Sequence, residues 1–574
     1  MNLSKLKWRA AAVAVMLLGG AGALGVASAR QAADMALPPY LRAFPNFEAK
    51  ITPQMPGDVD IKLKTSLEKA GEFAKVQREF DLNAWQMFLA LNWPTDGTGK
   101  TATDITDTAF GAPAWSLWHA SSDIYQTDGA VPGPCLMEGG KRTLMLQKAL
   151  DKPVAKGLPV FKTSGPQLGA AVGTAIDTRK TRLLGVMSAV GELNASTPLS
   201  EIGQAFTGPL IDQNGEFVFY EILIDPNEVN YVCSNKLYNI NGQVAFSAAG
   251  KKVDMPSGTP DKDWSGSFEL KLAWKIITPG KDDASRFYTM PALIMDQGPD
   301  GKPVQRSVTV GLVGMHIGHK SQTSPQWIWA TFEQVDNLGV DAVAHPKLNP
   351  SFSDPNCEIC TVNQLPVPDA NGDYARIPTQ AWRAVPIPAD KQALNLQAQA
   401  VLRAKGSVWQ YYQLIDTQWP TGPTAKPTPW NGGLGGSIEN KPGGNPTPVM
   451  LTNITMETYF QSGNQMACNA QENVPSFVNC ISPPAGPSSN ASPAIWTSPL
   501  NNSSTPQLPG VLTTVFATES CMGCHSSAGI WTSYDPKTGN GNQSGQLTGD
   551  FSWLFSQKAA WYTAPTTGKP KKKG

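Results

Sequence analysis

The chain has 574 residues, 46 Lys+Arg against 46 Asp+Glu, 16% charged residues, 53 Gly, 48 Pro and 17 Trp. So balanced a charge argues against nucleic acid as a partner, and Lys569, Lys571, Lys572 and Lys573 read as a solvated tail rather than a binding patch. The length suffices for two or more cores, or one large core with long insertions, and the Gly and Pro content predicts a loop-rich, largely β architecture.

At the N-terminus, Lys5, Lys7 and Arg9 form a basic region, Ala10 to Val26 an apolar run, and Ala27-Ser28-Ala29 an A-x-A cleavage signal. Residues 1–29 are therefore expected to be a signal peptide and the protein to be periplasmic or secreted. The apolar run is short for a spanning helix, and no later stretch approaches that length, so no membrane span is expected in the mature chain. No Cys precedes Cys135, so nothing suggests a lipoprotein.

The segment up to about residue 70 is rich in polar residues and Pro and is expected to wrap the surface. Asp81 to Leu91 reads as a helix capped by Asp81, with Leu82, Trp85 and Leu89 on one face and Asn92-Trp93-Pro94 at its end. The period then changes to two: Phe217 to Ile224, Phe268 to Ile276, Val308 to Met315 and Gln326 to Phe332 read as strands separated by Gly, Pro, Asn and Asp turns. Leu394, Ala398, Val401 and Leu402 mark a helix over 391–405, and Trp409 to Trp419 another strand. Pro/Gly tracts follow at 420–448 and 483–510. The expected fold class is α+β and β-rich, a large loop-rich body over 30–419 with an N-terminal helix, followed by a Pro/Gly-rich region over 420–574 whose C-terminal segment docks on that body.

Near the C-terminus stands Cys521-Met522-Gly523-Cys524-His525, a C-x-x-C-H. Two thiols three residues apart can add across the two vinyl groups of one haem, which holds the following histidine under the ring to ligate the iron. One covalent haem c is thus expected, with His525 the proximal iron ligand. A redox C-x-x-C calls for a thioredoxin-like βαβ context and a zinc site for a second ligand pair, and the sequence offers neither at this position. The export signal agrees, because covalent haem attachment takes place outside the cytoplasmic membrane. In that compartment Cys135, Cys233, Cys357, Cys360, Cys468 and Cys480 read as disulfides. The expected pairs are Cys468 with Cys480 across a short polar loop, Cys357 with Cys360, and by remainder Cys135 with Cys233.

From Ser526 to Gly574 there is neither Met nor His, so the usual downstream second axial ligand is missing. Either an upstream residue reaches the iron or the iron is five-coordinate. The leading upstream candidates are His316 and His319 in Gly314-Met315-His316-Ile317-Gly318-His319, and His316 is preferred as distal ligand. On a strand they point to opposite faces, so at most one is expected to serve. Met456, Met466, His119 and His345 are weaker candidates. A zinc site from His316, His319, Cys357 and Cys360 is disfavoured because exported cysteines are oxidised. Asp81, Glu221, Glu333, Asp336 and Asp550 are read as caps, salt bridges or surface charges.

Asn83-Ala84-Trp85-Gln86-Met87-Phe88-Leu89-Ala90-Leu91-Asn92-Trp93-Pro94, His316-Ile317, Pro325 to Asn337, Glu457-Thr458-Tyr459, Cys521 to His525 and Asp550-Phe551-Ser552 together span most of the chain. In these stretches the sequence resembles exported bacterial cytochrome c family proteins with a single C-terminal C-x-x-C-H haem site. The resemblance implies haem c ligation by Cys521, Cys524 and His525 and supplies no reaction. The absent downstream Met means that the small-cytochrome fold does not carry over to the whole chain. The expected function is electron transfer through covalent haem with a redox partner protein. The alternatives are a haem-dependent oxidoreductase acting on peroxide, oxygen or a small organic substrate, and a gas- or ligand-binding haem protein.

Overall fold

Period-two alternation and β-branched or aromatic residues build one mixed sheet of eight strands. The computed structural model describes residues 51–136, 181–184, 208–259, 264–297, 303–338, 350–357, 360, 362–370, 374–383, 387–420, 451–460, 479–481, 495–497, 521–525, 528–543 and 548–563. The expected signal peptide over 1–29, most of both Pro/Gly tracts, His345, Met466, Cys468 with its expected bond to Cys480, and the lysine tail lie outside the described residues.

The strands are β1 His119–Ala120, β2 Arg182–Leu184, β3 Phe219–Ile224, β4 Phe268–Ile276, β5 Thr289–Gln297, β6 Pro303–His319, β7 Ile328–Gln334 and β8 Tyr412–Gln418. Their order is β8-β7-β6-β4-β3-β1, with β5 paired to β6 and to β2. Among the described strands, β2–β5 is the one parallel pair. The helices that matter here are α1 Ile61–Lys69, α2 Phe73–Leu91, α3 Pro226–Ser234, α4 Ile240–Ala248, α5 Ala389–Ala404 and α6 Cys521–His525. The architecture is α+β with long loops, as the sequence predicts.

The central strand is β6. Along Val310–His319 it pairs with β4. Its other side is taken first by β5 and then by β7. Because opposite residues share a face, one face carries Gly314, His316 and Gly318 with Glu333, Thr331 and Trp329 of β7 and Lys271 and Glu269 of β4. The other face carries Met315, Ile317 and His319 with Phe332, Ala330 and Ile328.

Helix α2 packs on the second face, where Phe88 stacks on Phe332 at 4.2 Å between ring centroids and Trp85 meets the same ring edge-on at 5.0 Å. This helix starts a full two turns before the expected one. Phe73, Val76 and Phe80 continue the apolar stripe N-terminally, so Asp81 lies within the helix and is no cap. Buried Asp81 instead faces Lys391 of α5 at 3.0 Å, and Asp416 of β8 lies 3.5 Å from the same ammonium. Helix α1 occupies part of the segment expected to be a surface wrap, with Asp60 capping Lys62 and Leu63. Helices α3 and α4 were not expected; Asp225 and Asn239 cap them, a local signal that the β-rich surroundings obscure.

Strand β8 is a sheet edge, and α5 closes it. Asn395 donates to the Leu414 carbonyl (2.8 Å) and accepts from the Leu414 N–H (2.9 Å), while Gln399 donates to the Tyr412 carbonyl (2.9 Å). Amide side chains thus take the places of a further strand and block edge-to-edge association.

Cys135 is bonded to Cys233 of α3, and Cys357 to Cys360. Among the described residues no helix is long and apolar enough to cross a membrane. The Cys135–Cys233 bond closes a loop with a sequence separation of 98, so it constrains the unfolded chain strongly. Replacing both cysteines with serine is expected to lower stability by about 2–5 kcal/mol, read as a drop in the denaturant midpoint. An unchanged midpoint would show that the bond does not contribute.

Candidate functional site

The run Gly314-Met315-His316-Ile317-Gly318 puts a histidine between two positions without side chains on one face of β6. Side chains lie close over both glycines. A Cβ at Gly314 would fall 2.1 Å from Thr455 Oγ1, and one at Gly318 would press on the Trp327 and Trp329 rings at 3.3 Å. His316 therefore stands in a slot between the 451–460 segment and a pair of stacked tryptophans.

The 451–460 segment is tied to β7. Asn453 donates to Thr331 Oγ1 (2.8 Å) and to the Phe332 carbonyl (3.0 Å), and the Ile454 N–H donates to Glu333 Oε1 (2.7 Å). Glu457 accepts from the Asn453 N–H through Oε2 (2.9 Å) and meets His316 Nε2 through Oε1 at 2.7 Å. A carboxylate only accepts, so Nε2 is the nitrogen that carries the proton. Buried Nδ1 of His316 has no hydrogen-bond partner among the described residues.

The C-x-x-C-H forms α6 on the same face. Its Met522 is fully buried, and its N–H donates to Gln418 Oε1 of β8 at 2.9 Å. Met522, Phe551, Trp327, Trp329, Leu451 and Val232 belong to one hydrophobic cluster, against which Cys521 packs half-buried. The C-terminal segment is thus docked on the body by ordinary apolar burial. Cys524 lies within α6.

His525 lies against Trp329, ring centroids 4.3 Å apart, and its Nδ1 is 2.7 Å from the Phe551 carbonyl. A carbonyl only accepts, so Nδ1 carries the hydrogen and Nε2 keeps its lone pair. Burial pushes the imidazole down to about 4; the Phe551 bond opposes this, while His316 and Lys271 add to it. His525 is accordingly neutral at physiological pH and suited to ligate through Nε2.

The carbonyl is held by a tight turn. Asp550 and Phe551 are consecutive non-glycine residues with φ of 54° and 67°, a conformation that costs about 1–3 kcal/mol at each position. Asp550 Oδ2 accepts from the Met255 N–H and from buried Lys320 Nζ, both at 2.6 Å, which locks the turn to the end of β6.

The remaining candidates separate clearly. His319 is on the other face, stacked on Phe268 at 4.0 Å with Nε2 2.6 Å from the Ser265 carbonyl, and burial pushes it down to about 4. His119 shares a row with Trp329 but sits on edge strand β1, four strands away, about 19 Å at ordinary spacing. Met456 is buried in a different cluster, with Leu210 and Val218. Asp81, Glu221, Glu333, Asp336 and Asp550 are all in ion pairs, with Lys391, Arg182, Arg383, Arg286 and Lys320. The Cys357–Cys360 bond removes those thiols from any zinc site. Sequence reading assigned no role to Trp329, Glu457, Lys320 or the Phe551 carbonyl. The G-x-H-x-G at strand period was the one local sign of the slot.

Comparison of the chain with family models, with curated proteins and with solved structures found no match.

Asp550→Ala leaves Lys320 buried with only the exposed Asp254 as partner. It is expected to lower stability by about 3 kcal/mol, measured by chemical denaturation. The double change Asp550→Leu with Lys320→Met should recover part of that loss.

Proposed function

We propose that the protein is an exported mono-haem c-type cytochrome that passes electrons to or from a redox partner protein, in keeping with the resemblance of its motifs to cytochrome c family proteins. The observation that carries this reading is the bond between His525 Nδ1 and the Phe551 carbonyl, which orients a neutral imidazole with Nε2 available. Cys521 and Cys524 would form the thioethers and His525 the proximal iron bond. Haem c, once bound, supplies reversible one-electron transfer at iron. The disulfides support an oxidising compartment, periplasmic or extracellular.

The chain's own residues hold and shield the group. Trp327 and Trp329 would supply an apolar wall, the Asp550–Lys320 pair fixes the turn whose carbonyl orients His525, and the cluster around Met522 and Phe551 anchors the segment that carries it. Protein matured in a host with haem attachment machinery should keep its colour on the polypeptide after acid extraction. The tryptic peptide containing Cys521 and Cys524 should carry one haem mass. Extractable haem or an unmodified peptide would overturn the reading.

His316 is the proposed distal ligand, since it stands on the His525 face of β6, two residues from the Gly318 that lies under Trp329, the ring His525 packs against. Ligation through Nε2 exchanges the Glu457 hydrogen bond for iron. If that bond is kept, His316 remains a hydrogen-bonding residue beside an open coordination position, which favours a second reading, a haem oxidoreductase or gas-binding protein. His316→Ala is expected to convert a low-spin iron to a high-spin form that binds carbon monoxide, and His319→Ala to leave the spectrum unchanged. An unmodified protein already high-spin and reactive with carbon monoxide would select the second reading.

A further inference from the structure

Beneath the turn that presents the Phe551 carbonyl lie two glutamates that the haem reading does not use, Glu228 fully buried and Glu269 half-buried with its Oε1 out of water. Glu228 is on the first turn of α3, behind its cap Asp225. Glu269 is on β4, in the row that runs Ile224, Glu269, Gly318, Trp329 across the sheet. Gly318 contributes no side chain between Glu269 and the tryptophan against His525. The Ser552 hydroxyl, one residue beyond the Phe551 carbonyl, bonds to Glu269.

The two carboxyl groups bond to each other, yet neither oxygen of Glu228 nor Oε1 of Glu269 has an N–H or O–H from another group among the described residues. Ionised carboxylates only accept, so this contact holds only with a proton in it. The pair therefore shares one proton and carries one negative charge, in an environment where burial disfavours that charge.

The other charged groups facing the pair are already accommodated. Asp225 accepts from the backbone N–H groups of Asn227, Glu228 and Phe268. Asp550 is neutralised by Lys320. The buried Tyr125 hydroxyl lies close enough for Glu228 and Glu269 to disfavour its ionisation, so it stays neutral. Lys271, two residues along β4, presents its ammonium to the Tyr220 ring at 5.0 Å. Burial pushes Asp225 up to about 7 as well, but its three backbone N–H bonds favour the charged form, whereas Glu228 has no such donor among the described residues, so the glutamate pair is the readier group to take a further proton.

We propose that the Glu228–Glu269 pair is a proton-binding site linked to the haem iron, so that the protein takes up one proton with each electron. The inference rests on the haem reading above. In the oxidised protein the pair holds one proton; when a redox partner or an electrode delivers one electron to the iron, a proton from solvent binds Glu269 and the pair becomes neutral. Added negative charge at the iron favours that protonation, since like charges interact strongly at low dielectric. Burial pushes Glu269 up to about 7, which places the exchange near neutral pH. Sign and window follow: reduction raises the Glu269 pKa further, so the midpoint potential falls as pH rises between the oxidised and reduced pKa values. The full slope is one proton per electron, about 59 mV per tenfold change in proton concentration.

The test is spectroelectrochemical titration of the haem-loaded protein at a series of pH values across neutrality. A potential that falls with pH in the unmodified protein, and is flat in Glu269→Gln and Glu228→Gln, supports the site. A flat potential in the unmodified protein, or an unchanged slope in both variants, overturns it. Should the variants not fold, redox-difference infrared spectra of unmodified protein labelled at the glutamate carboxyl carbon give an independent reading. A protonated-carboxyl band that appears on reduction and shifts with the label supports the proposal, and its absence overturns it. Lack of covalent haem shows in the absorption spectrum before any titration, and would sink the haem reading itself, a separate outcome.

Discussion

The structure depends on a single long strand whose second half, 310–319, is enclosed on both faces and paired on both edges. β6 takes β4 along one side and β5 then β7 along the other, so its backbone register sets the position of three strands at once. Period two then divides its side chains without compromise. Met315 and Ile317 go to the α2 face, while Gly314, His316 and Gly318 go to the face that receives the 451–460 segment and α6. A slip of one residue would put His316 under α2 and Met315 beneath the tryptophans.

Around this strand lies an unusual amount of buried charge. Glu333 with Arg383, Asp416 and Asp81 with Lys391, Asp550 with Lys320 and Glu221 with Arg182 are all withdrawn from water. Such pairs add little net stability compared with apolar residues, because desolvation offsets most of their attraction. What they provide is position. Each joins elements remote in sequence, and breaking one leaves a buried charge, so a misplaced loop is strongly disfavoured. Glu333 shows this well, since it binds Arg383 with one oxygen and the Ile454 N–H with the other, fixing the segment that carries Glu457.

The same logic governs the C-terminal segment. α6 has only five residues and would not be a stable helix alone. It is held by Met522 in the core, by Gln418 on its backbone, and by the carbonyl of a turn whose left-handed residues are pinned by Lys320. The imidazole of His525 is therefore oriented by the body of the protein rather than by its own helix. Charge near that imidazole is dispersed over His316, Lys271 and Glu457, which arrive on three different elements.

Sequence alone determined the elements whose signal is local. The alternation in Phe268 to Ile276, the 391–405 helix and the C-x-x-C-H were legible because period and spacing are properties of neighbouring residues. It also implied that His316 and His319 point to opposite faces, since that follows from strand geometry alone. The reach of α2 back to Phe73 and the helices α3 and α4 were misjudged, because propensity is a weak prior that tertiary burial overrides. Only the tertiary structure decided which histidine shares a face with His525, that Glu457 meets it, that the Phe551 carbonyl orients the His525 imidazole, and that Glu228 and Glu269 meet beneath that turn. The His525–Phe551 and His316–Glu457 contacts join residues 26 and 141 positions apart. No local pattern encodes them; they exist because the strand order and the buried ion pairs bring distant segments to one face of one sheet.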